Sequence, residues 1–259
     1  MMTTDPSERT VLISGGASGL GEVTALWFLG LGYPVVVLDL DAEKCEAMTE
    51  HLGDRGAVVC GNVLDDADVQ RAIDAARTFG ELRWVIACAG GGEVGGRIVG
   101  KGGVPHDMGI FQRTLELNVT GSFNTLRLAA AAMSENDPDP DGERGAALLV
   151  TSGAGFEGQI GQIAYGSAKS ALIGMTLIAA RDLSSVGIRV NAIAPGVMNT
   201  SAWEQGPPEL KAALESTVPF PKRLGEPEEF ARLAEHLLAN RYMNGHVARL
   251  DGALRFAPK

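Results

Sequence analysis

The sequence predicts a doubly wound α/β fold in one domain, a parallel sheet of about seven strands with helices on both faces. Three observations lead there. Short apolar runs alternate with longer stretches of helical period almost to the end of the chain. The apolar runs are near-continuous rather than alternating, as strands covered on both faces must be. Glycines also cluster where the first apolar run gives way to the first helical stretch.

The first strand is expected at 10–14 (TVLIS), followed by a helix at 20–31 that opens on the glycines. A second strand at 34–38 (PVVVL) leads to a helix at 42–52, and a third at 57–60 (AVVC) to a helix at 67–79. The fourth strand, 84–87 (WVIA), precedes one long helix at 110–133. The fifth, 147–151 (ALLVT), precedes a helix at 164–183, and the sixth lies at 188–193 (IRVNAI). A short helical candidate at 209–217, a helix at 228–237 and a seventh strand at 247–250 complete the pattern. No internal repeat or composition break marks a second domain.

Three stretches interrupt the alternation. Residues 136–145 (NDPDPDGERG) form a polar connection. Residues 90–109 are glycine-rich and carry Arg97, Lys101 and His106, and 195–221 leave the sixth strand through Pro195 and Gly196. In open α/β sheets ligands bind beyond the carboxyl ends of the strands. The glycine-rich and post-Pro195 stretches leave strands at that end, so they are expected to wall a substrate site; the alternative is ordinary surface loops.

Composition excludes several function classes. A formal net charge of −10 disfavours a nucleic-acid surface, which needs clustered Lys and Arg. It leaves room for anionic ligands held by helix N-termini. Cys45, Cys60 and Cys88 are widely spaced, with no CxxC pair, and the four histidines show no ligand spacing. We therefore expect reduced thiols, a cytoplasmic location and no metal. No run of about 18 apolar residues suggests a membrane span, and residues 1–10 lack the apolar stretch of a signal peptide.

The glycine cluster reads Ser14-Gly15-Gly16-Ala17-Ser18-Gly19-Leu20-Gly21. Glycine allows a tight turn, close approach to phosphate oxygens and close helix–strand packing. The N–H groups of the helix start then face the pyrophosphate. Such a cluster alone is often only a flexible turn; between strand and helix it is a Rossmann-type dinucleotide signature. Asp39 ends the second strand, where a carboxylate can accept bonds from the adenosine ribose hydroxyls and repel a 2′-phosphate. No Arg or Lys lies within 14–21 to receive that phosphate, so NAD is expected over NADP. The bland reading of Asp39 is a solvated cap of the next helix.

Tyr165 and Lys169 stand at i and i+4, on one helix face. A free tyrosine, with pKa about 10, is a poor base at neutral pH. A neighbouring ammonium stabilises tyrosinate and makes it a usable general base for a hydroxyl proton. Ser152 follows the fifth strand, where its hydroxyl can hold a substrate oxygen.

With these residues the chain resembles the short-chain dehydrogenase/reductase family over nearly its whole length. Gly15, Gly19, Gly21, Cys88-Ala89-Gly90, Asn118, Ser152, Tyr165, Lys169 and Pro195-Gly196 occur in the family's order. The resemblance implies Tyr165 as acid/base, Ser152 orienting the substrate oxygen, and Lys169 binding the nicotinamide ribose while depressing the Tyr165 pKa. It implies that Asn118 holds a water in a proton relay. It also extends the NAD site to Ser14, Ser18, Leu20, Asn62, Val63, Val197 and Thr200. Three positions depart from the pattern: Ser14 for threonine, Cys88 for the commoner Asn, and Asn62 for an Asp that faces adenine.

The second half is closer still to one branch, the type-2 3-hydroxyacyl-CoA dehydrogenases, also called type-10 17β-hydroxysteroid dehydrogenases. FEGQIGQ at 156–162, GMTL at 174–177, ARDL at 180–183, VPFP at 218–221 and RLDGA at 249–253 carry that likeness. It implies NAD-dependent oxidation of short or 2-methyl-branched 3-hydroxyacyl-CoA, with Gln162 near the substrate and Thr200 near the nicotinamide amide. It further implies a homotetramer, to which the apolar segment 253–257 is expected to contribute. The stretch 91–109, where that branch shapes its acyl-CoA entrance, matches poorly in residue type. Two other functions stand beside this one: a dehydrogenase of steroids or other small secondary alcohols, and a non-catalytic NAD-binding scaffold. The intact Asn118, Ser152, Tyr165 and Lys169 argue against the scaffold.

Overall fold

β1 (Arg9–Ser14), β2 (Val35–Asp39), β3 (Gly56–Cys60), β4 (Glu81–Ala87), β5 (Gly145–Val150), β6 (Ile188–Pro195) and β7 (Val247–Leu250) pair in parallel throughout. This computed structural model describes residues 5–91, 95–200 and 208–258. Parts of two expected walls, 92–94 and 201–207, lie outside the described residues. The sheet order is β3-β2-β1-β4-β5-β6-β7. Every residue of β5 and β6 is buried, the signature of central strands covered on both faces.

The helices are α1 (Gly19–Gly30), α2 (Ala42–Leu52), α3 (Asp66–Phe79), α4 (Met108–Leu115), α5 (Gly121–Met133), α6 (Ile163–Asp182), α7 (Pro208–Thr217) and α8 (Pro227–Ala239). Alternate strand residues feed two cores. Val11, Ile13, Val35 and Val37 pack with Phe28 of α1, Met48 of α2 and Phe230 of α8. Leu12, Val36 and Leu149 point the other way, to Ile73 of α3, Met133 of α5 and Ala180 of α6. Phe28 is fully buried, with Tyr33 and Trp84 rings 5.8 and 5.7 Å from its own; truncation to Ala would cost about 3–5 kcal/mol. Several helix starts are capped by acids: the side chains of Asp41, Asp65 and Asp107 accept from the N–H groups of Lys44, Ala67 and Ile110.

Most expected elements are observed with ends shifted by one to three residues. One differs in kind. The long helix expected at 110–133 is α4 and α5 joined by a π turn, Glu116–Thr120. There the Gly121 N–H bonds the Glu116 carbonyl five residues back, so the helix register slips. Asn118 sits in that turn, and its side-chain amide donates to the Thr114 carbonyl at 2.9 Å. The stretch from α6 to Val186 is long and apolar enough to cross a membrane by length and composition alone, which the run of residues had not suggested. Here one face of it packs inward, with Ala164, Ala168, Leu172, Thr176 and Ala180 buried, while Leu177 and Ile178 are exposed.

The sheet order reverses between β1 and β4, whose carboxyl ends lie side by side with Ser14 opposite Ala87. Chains leaving those two strands diverge, and a crevice opens between them.

Candidate active site

The crevice starts with a turn that two glycines make possible. Gly15 has φ +68°, and a Cβ there would lie 2.6 Å from the Ala89 backbone. A Cβ at Gly21 would lie 2.0 Å from the Gly15 carbonyl oxygen. Only glycine fits either place. The turn delivers the chain to Ser18, the N-cap of α1, whose side chain makes no capping bond. The N–H groups of the first helical turn therefore face the crevice unclaimed by a cap.

The resulting cleft has a volume of about 590 Å³, within the range of cofactor sites. It is lined on one side by Gly15, Ser18, Leu20, Gly21, Asp39, Asn62 and Val63, as the sequence suggests. The far wall brings in Cys88, Ala89 and Gly90, then Ser152, Tyr165 and Lys169, and finally Pro195, Gly196, Val197 and Thr200. Residues separated by up to 185 positions thus converge on one cavity, with Gly15 and Thr200 both on its wall.

Four expected site residues do not line it. Ser14 is buried beneath the glycine turn, and its hydroxyl has no hydrogen-bond partner among the described residues. Gly19 shapes the turn with φ +56°. Asn118 is fully buried behind the cleft: its amide donates to Gly91 O at 2.5 Å and its oxygen accepts from Gly91 N at 3.2 Å. Gln162, expected beside the substrate, lines a second groove. Its amide is held by Gln159, and it pairs as a bridge with Gly96.

Asp39 is oriented by the backbone. Its Oδ2 accepts from Ala17 N at 3.0 Å and its Oδ1 from Asp41 N at 3.2 Å. The cap of α2 is Asp41, so Asp39 is not that cap and keeps oxygen lone pairs for the cleft. Asn62 uses its side-chain oxygen to accept from Leu64 N at 2.9 Å, leaving one lone pair for an adenine amine.

At the other end, Ser152 caps a short 3-10 turn, accepting from Ala154 N at 3.1 Å, and hydrogen-bonds Tyr165. Lys169 is buried, donates Nζ to Val150 O at 2.9 Å and stands 5.6 Å from the Tyr165 ring centroid. Gly90 makes this packing possible, because a Cβ there would meet Asn118 Oδ1 at 2.8 Å and Lys169 Nζ at 3.1 Å.

The electrostatics correct one expectation. Burial holds the Tyr165 hydroxyl above its ordinary pKa, with the Ser152 hydrogen bond pulling it down and Cys88 opposing. Burial also pushes Lys169 down to about 8. Burial therefore sets the direction of the Tyr165 shift, and Ser152 is the group that lowers it. Cys88 itself is raised to about 11 by burial, so it is a neutral thiol in the cleft.

The glycine-rich stretch is better ordered than its composition suggests. Val99 pairs antiparallel with Pro105, and Gly96 N–H bonds Gly161 O at 3.1 Å. Arg97 lies in the groove with Gln162, Ile98 and Phe156, while Lys101 is exposed at the hairpin turn. The apolar end of the chain turns inward: Phe256 lies against Gly153, and Ala257 O accepts from Gln159 Nε2 at 3.2 Å.

Sequence reasoning missed Leu40, Gly61, Leu117, Thr151 and Met198, which also line the cleft. Leu40, Gly61 and Thr151 each follow the end of a strand, a signal that position alone would have supplied. Leu117 belongs to the π turn, and no sequence pattern announces it.

The glycine cradle, the oriented carboxylate and the cleft's size fit a nicotinamide dinucleotide. The comparisons agree. Residues 9–210 match the model of the short chain dehydrogenase family. The chain is 42% identical to 3-hydroxyacyl-CoA dehydrogenase type-2 of Drosophila melanogaster over 95% of its length and 97% of that protein. It is equally similar, at 42%, to the protein of the same name from Homo sapiens, over 95% of each chain. A crystal structure of 3-hydroxyacyl-CoA dehydrogenase type-2 from Mycobacterium avium superposes with TM-score 0.94 at 49% identity, covering 97% of this chain and 98% of that one. The chain is an oxidoreductase and belongs to the short-chain dehydrogenase family.

Proposed function

We propose that the protein oxidises a secondary alcohol to a ketone with NAD, and that its substrate is a short or 2-methyl-branched 3-hydroxyacyl-CoA. The observation that carries the reading is the meeting of Ser152, Tyr165 and Lys169 in the cleft whose opposite end is Asp39. The glycine turn and the α1 N-terminus would hold the pyrophosphate, and Asp39 the adenosine ribose. NAD, when bound, supplies the hydride acceptor. Tyr165 takes the hydroxyl proton of the alcohol, and returns it in the reverse direction. Ser152 holds the substrate oxygen and, through its bond to Tyr165, favours tyrosinate. Lys169 binds the second ribose, and its charge there works with Ser152 against the raising effect of burial on Tyr165. Buried Asn118 fixes Gly91 and so the backbone beside Lys169.

The names of the relatives support the acyl-CoA class. The homotetramer is part of the same proposal, with exposed Phe123 on α5 and Leu177 and Ile178 on α6 as apolar surface for it. The test is NADH absorbance with acetoacetyl-CoA against a panel of ketosteroids. A kcat/KM at least about tenfold higher for the thioester is expected. Preference for a steroid would replace the substrate class, and equal use of NADPH would replace the cofactor.

A further inference from the structure

Cys45 and Cys60 come together at the Asp39 end of the cleft. Cys60 is the last residue of β3 and lies opposite Asp39 in the sheet register. Its Sγ is 3.8 Å from the Leu40 carbonyl oxygen. Cys45 lies in the first turn of α2, with Sγ 3.4 Å from the Asp39 carbonyl oxygen. Both thiols thus donate to neighbouring carbonyls of one turn, Asp39 O and Leu40 O, which sets the two side chains beside each other. Cys60 is exposed and Cys45 is buried. Asp39 and Leu40 line the cleft, and so does Gly61, which directly follows Cys60. A buried cysteine by itself is a small core residue; an exposed one beside it, on the turn that presents a ligand-binding carboxylate, is a different arrangement.

We propose that Cys45 and Cys60 form an oxidisable dithiol, and that their disulfide weakens dinucleotide binding at Asp39. The inference rests on reading the cleft as the NAD site. The oxidant is a peroxide. Cys60, the accessible sulfur, attacks one peroxide oxygen as its thiolate; the O–O bond breaks, and the other oxygen leaves as water with the proton Cys60 gave up. Cys60 is then a sulfenic acid. Cys45 attacks the Cys60 sulfur, the S–O bond breaks, and a second water leaves with the Cys45 proton. Two thiols have lost two electrons to one peroxide, and a thiol reductant restores them. Burial and the neighbouring Cys60 raise Cys45 to about 12, so it stays a thiol and is not the sulfur that the peroxide oxidises first.

The consequence for the cleft follows from the geometry. Closing two sulfurs to bonding distance pulls the start of α2 toward the end of β3. Both S–H bonds to the Asp39 and Leu40 carbonyls are lost, and the turn between them must shift. The Asp39 carboxylate is aimed by bonds from Ala17 and Asp41, so movement of that turn misaligns it.

The experiment treats the full-length protein with hydrogen peroxide and measures two things separately. Non-reducing peptide mass spectrometry scores a Cys45–Cys60 linkage, and fluorescence titration gives NADH affinity before and after. The expected result is the linkage, with Kd for NADH weakened by about tenfold or more and restored by dithiothreitol. Cys60→Ser should bind NADH as the native protein does and keep that affinity after peroxide. Cys45→Ser should stop at a sulfenic acid that dimedone traps. No linkage at peroxide levels that oxidise Cys88 overturns the proposal. So does a linkage that leaves NADH affinity unchanged, or an equal loss of affinity in Cys60→Ser. Failure of the reduced native protein to bind NADH overturns the cofactor reading instead, while the linkage is still scored.

Discussion

Arg249 grips Glu157 through two parallel hydrogen bonds, Nη1 to Oε1 at 2.6 Å and Nη2 to Oε2 at 2.8 Å, across 92 residues of sequence. The same guanidinium donates Nε to Asp251 at 2.6 Å and stands 4.8 Å from the Phe156 ring centroid. Glu157 lies on the loop that runs from Ser152 to the start of α6, so β7 fastens the segment bearing that serine. Pro258 O, accepting from Ile160 N at 3.0 Å, adds a second tie. Arg249→Met should cost about 2 kcal/mol, since it removes both short hydrogen bonds to the Glu157 carboxylate and leaves it only the longer contact with Arg255 at 3.7 Å. At this chain length that lowers Tm by roughly 4–8 °C. kcat should fall more than KM changes, because the Ser152 loop loses its anchor. Calorimetry and steady-state kinetics on Arg249→Met and Glu157→Gln decide it; native Tm and kcat in both would show the pair to be idle.

Tyr165→Phe keeps the ring packing and removes the hydroxyl proposed to exchange the proton. Turnover should drop by about 10²–10⁴-fold, with NADH affinity near native. A variant keeping more than about a tenth of the native rate would be too active for a lost general base.

Lys169 gives a stability prediction with a definite sign. Its pKa is held at about 8 by burial, against the ordinary lysine value of 10.5. Between those values the folded protein carries fewer protons than the unfolded chain, so this group makes stability rise with pH there. Below about pH 8 the penalty for burying the ammonium is complete. Tyr165, raised by burial, acts oppositely above pH 10, where folding loses stability as pH climbs. Removing the penalty of Lys169 is worth roughly 3 kcal/mol at pH 7; the lost bond to Val150 O returns about 1 kcal/mol of that. Lys169→Met should therefore be more stable than the native protein at pH 7 without nucleotide, by about 1–2 kcal/mol, and the gap should close by pH 10. It should also be inactive. Urea unfolding at both pH values measures this, and a variant less stable at pH 7 would sink the argument.

Asp39→Asn should relax the choice of cofactor. The amide keeps one oxygen for the Ala17 N–H or the Asp41 N–H, so the turn survives, while repulsion of a 2′-phosphate disappears. The ratio of kcat/KM for NAD to that for NADP should fall by about tenfold or more. An unchanged ratio would move the discrimination to another residue.

The layout of strands and helices was legible because burial writes itself locally: β5 is apolar throughout, β6 is apolar except at Arg189 and Asn191, and α3 repeats Val69, Ala72, Ile73 and Ala76 at helical spacing. The glycine turn was legible because its constraint is steric and local. The π turn was not, because Asn118 inserts a residue into a helix whose apolar period barely changes. Nor was the pairing of Gln162 with Gly96, a contact between segments far apart in the chain. The sign of the Tyr165 shift required knowing how deeply it is buried, and spacing to a lysine carries no such information. Arg249 and Glu157 each look like ordinary surface charges until β7 and the serine loop are brought together.

Gly90, Asn118 and Lys169 come from the exit of β4, the π turn and α6, and they share a volume without slack. In mutational terms the three are one unit of change. Every single-nucleotide replacement of a glycine codon brings at least a Cβ, and here that carbon meets an amide oxygen and an ammonium at once. A drift at Gly90 therefore needs a second, simultaneous change at one of its neighbours, and each neighbour has its own reason to stay. Cys88, two residues earlier, has no such lock. A library scanning this strand exit should tolerate several residues at 88 and almost none at 90, a contrast set by geometry rather than by chemistry.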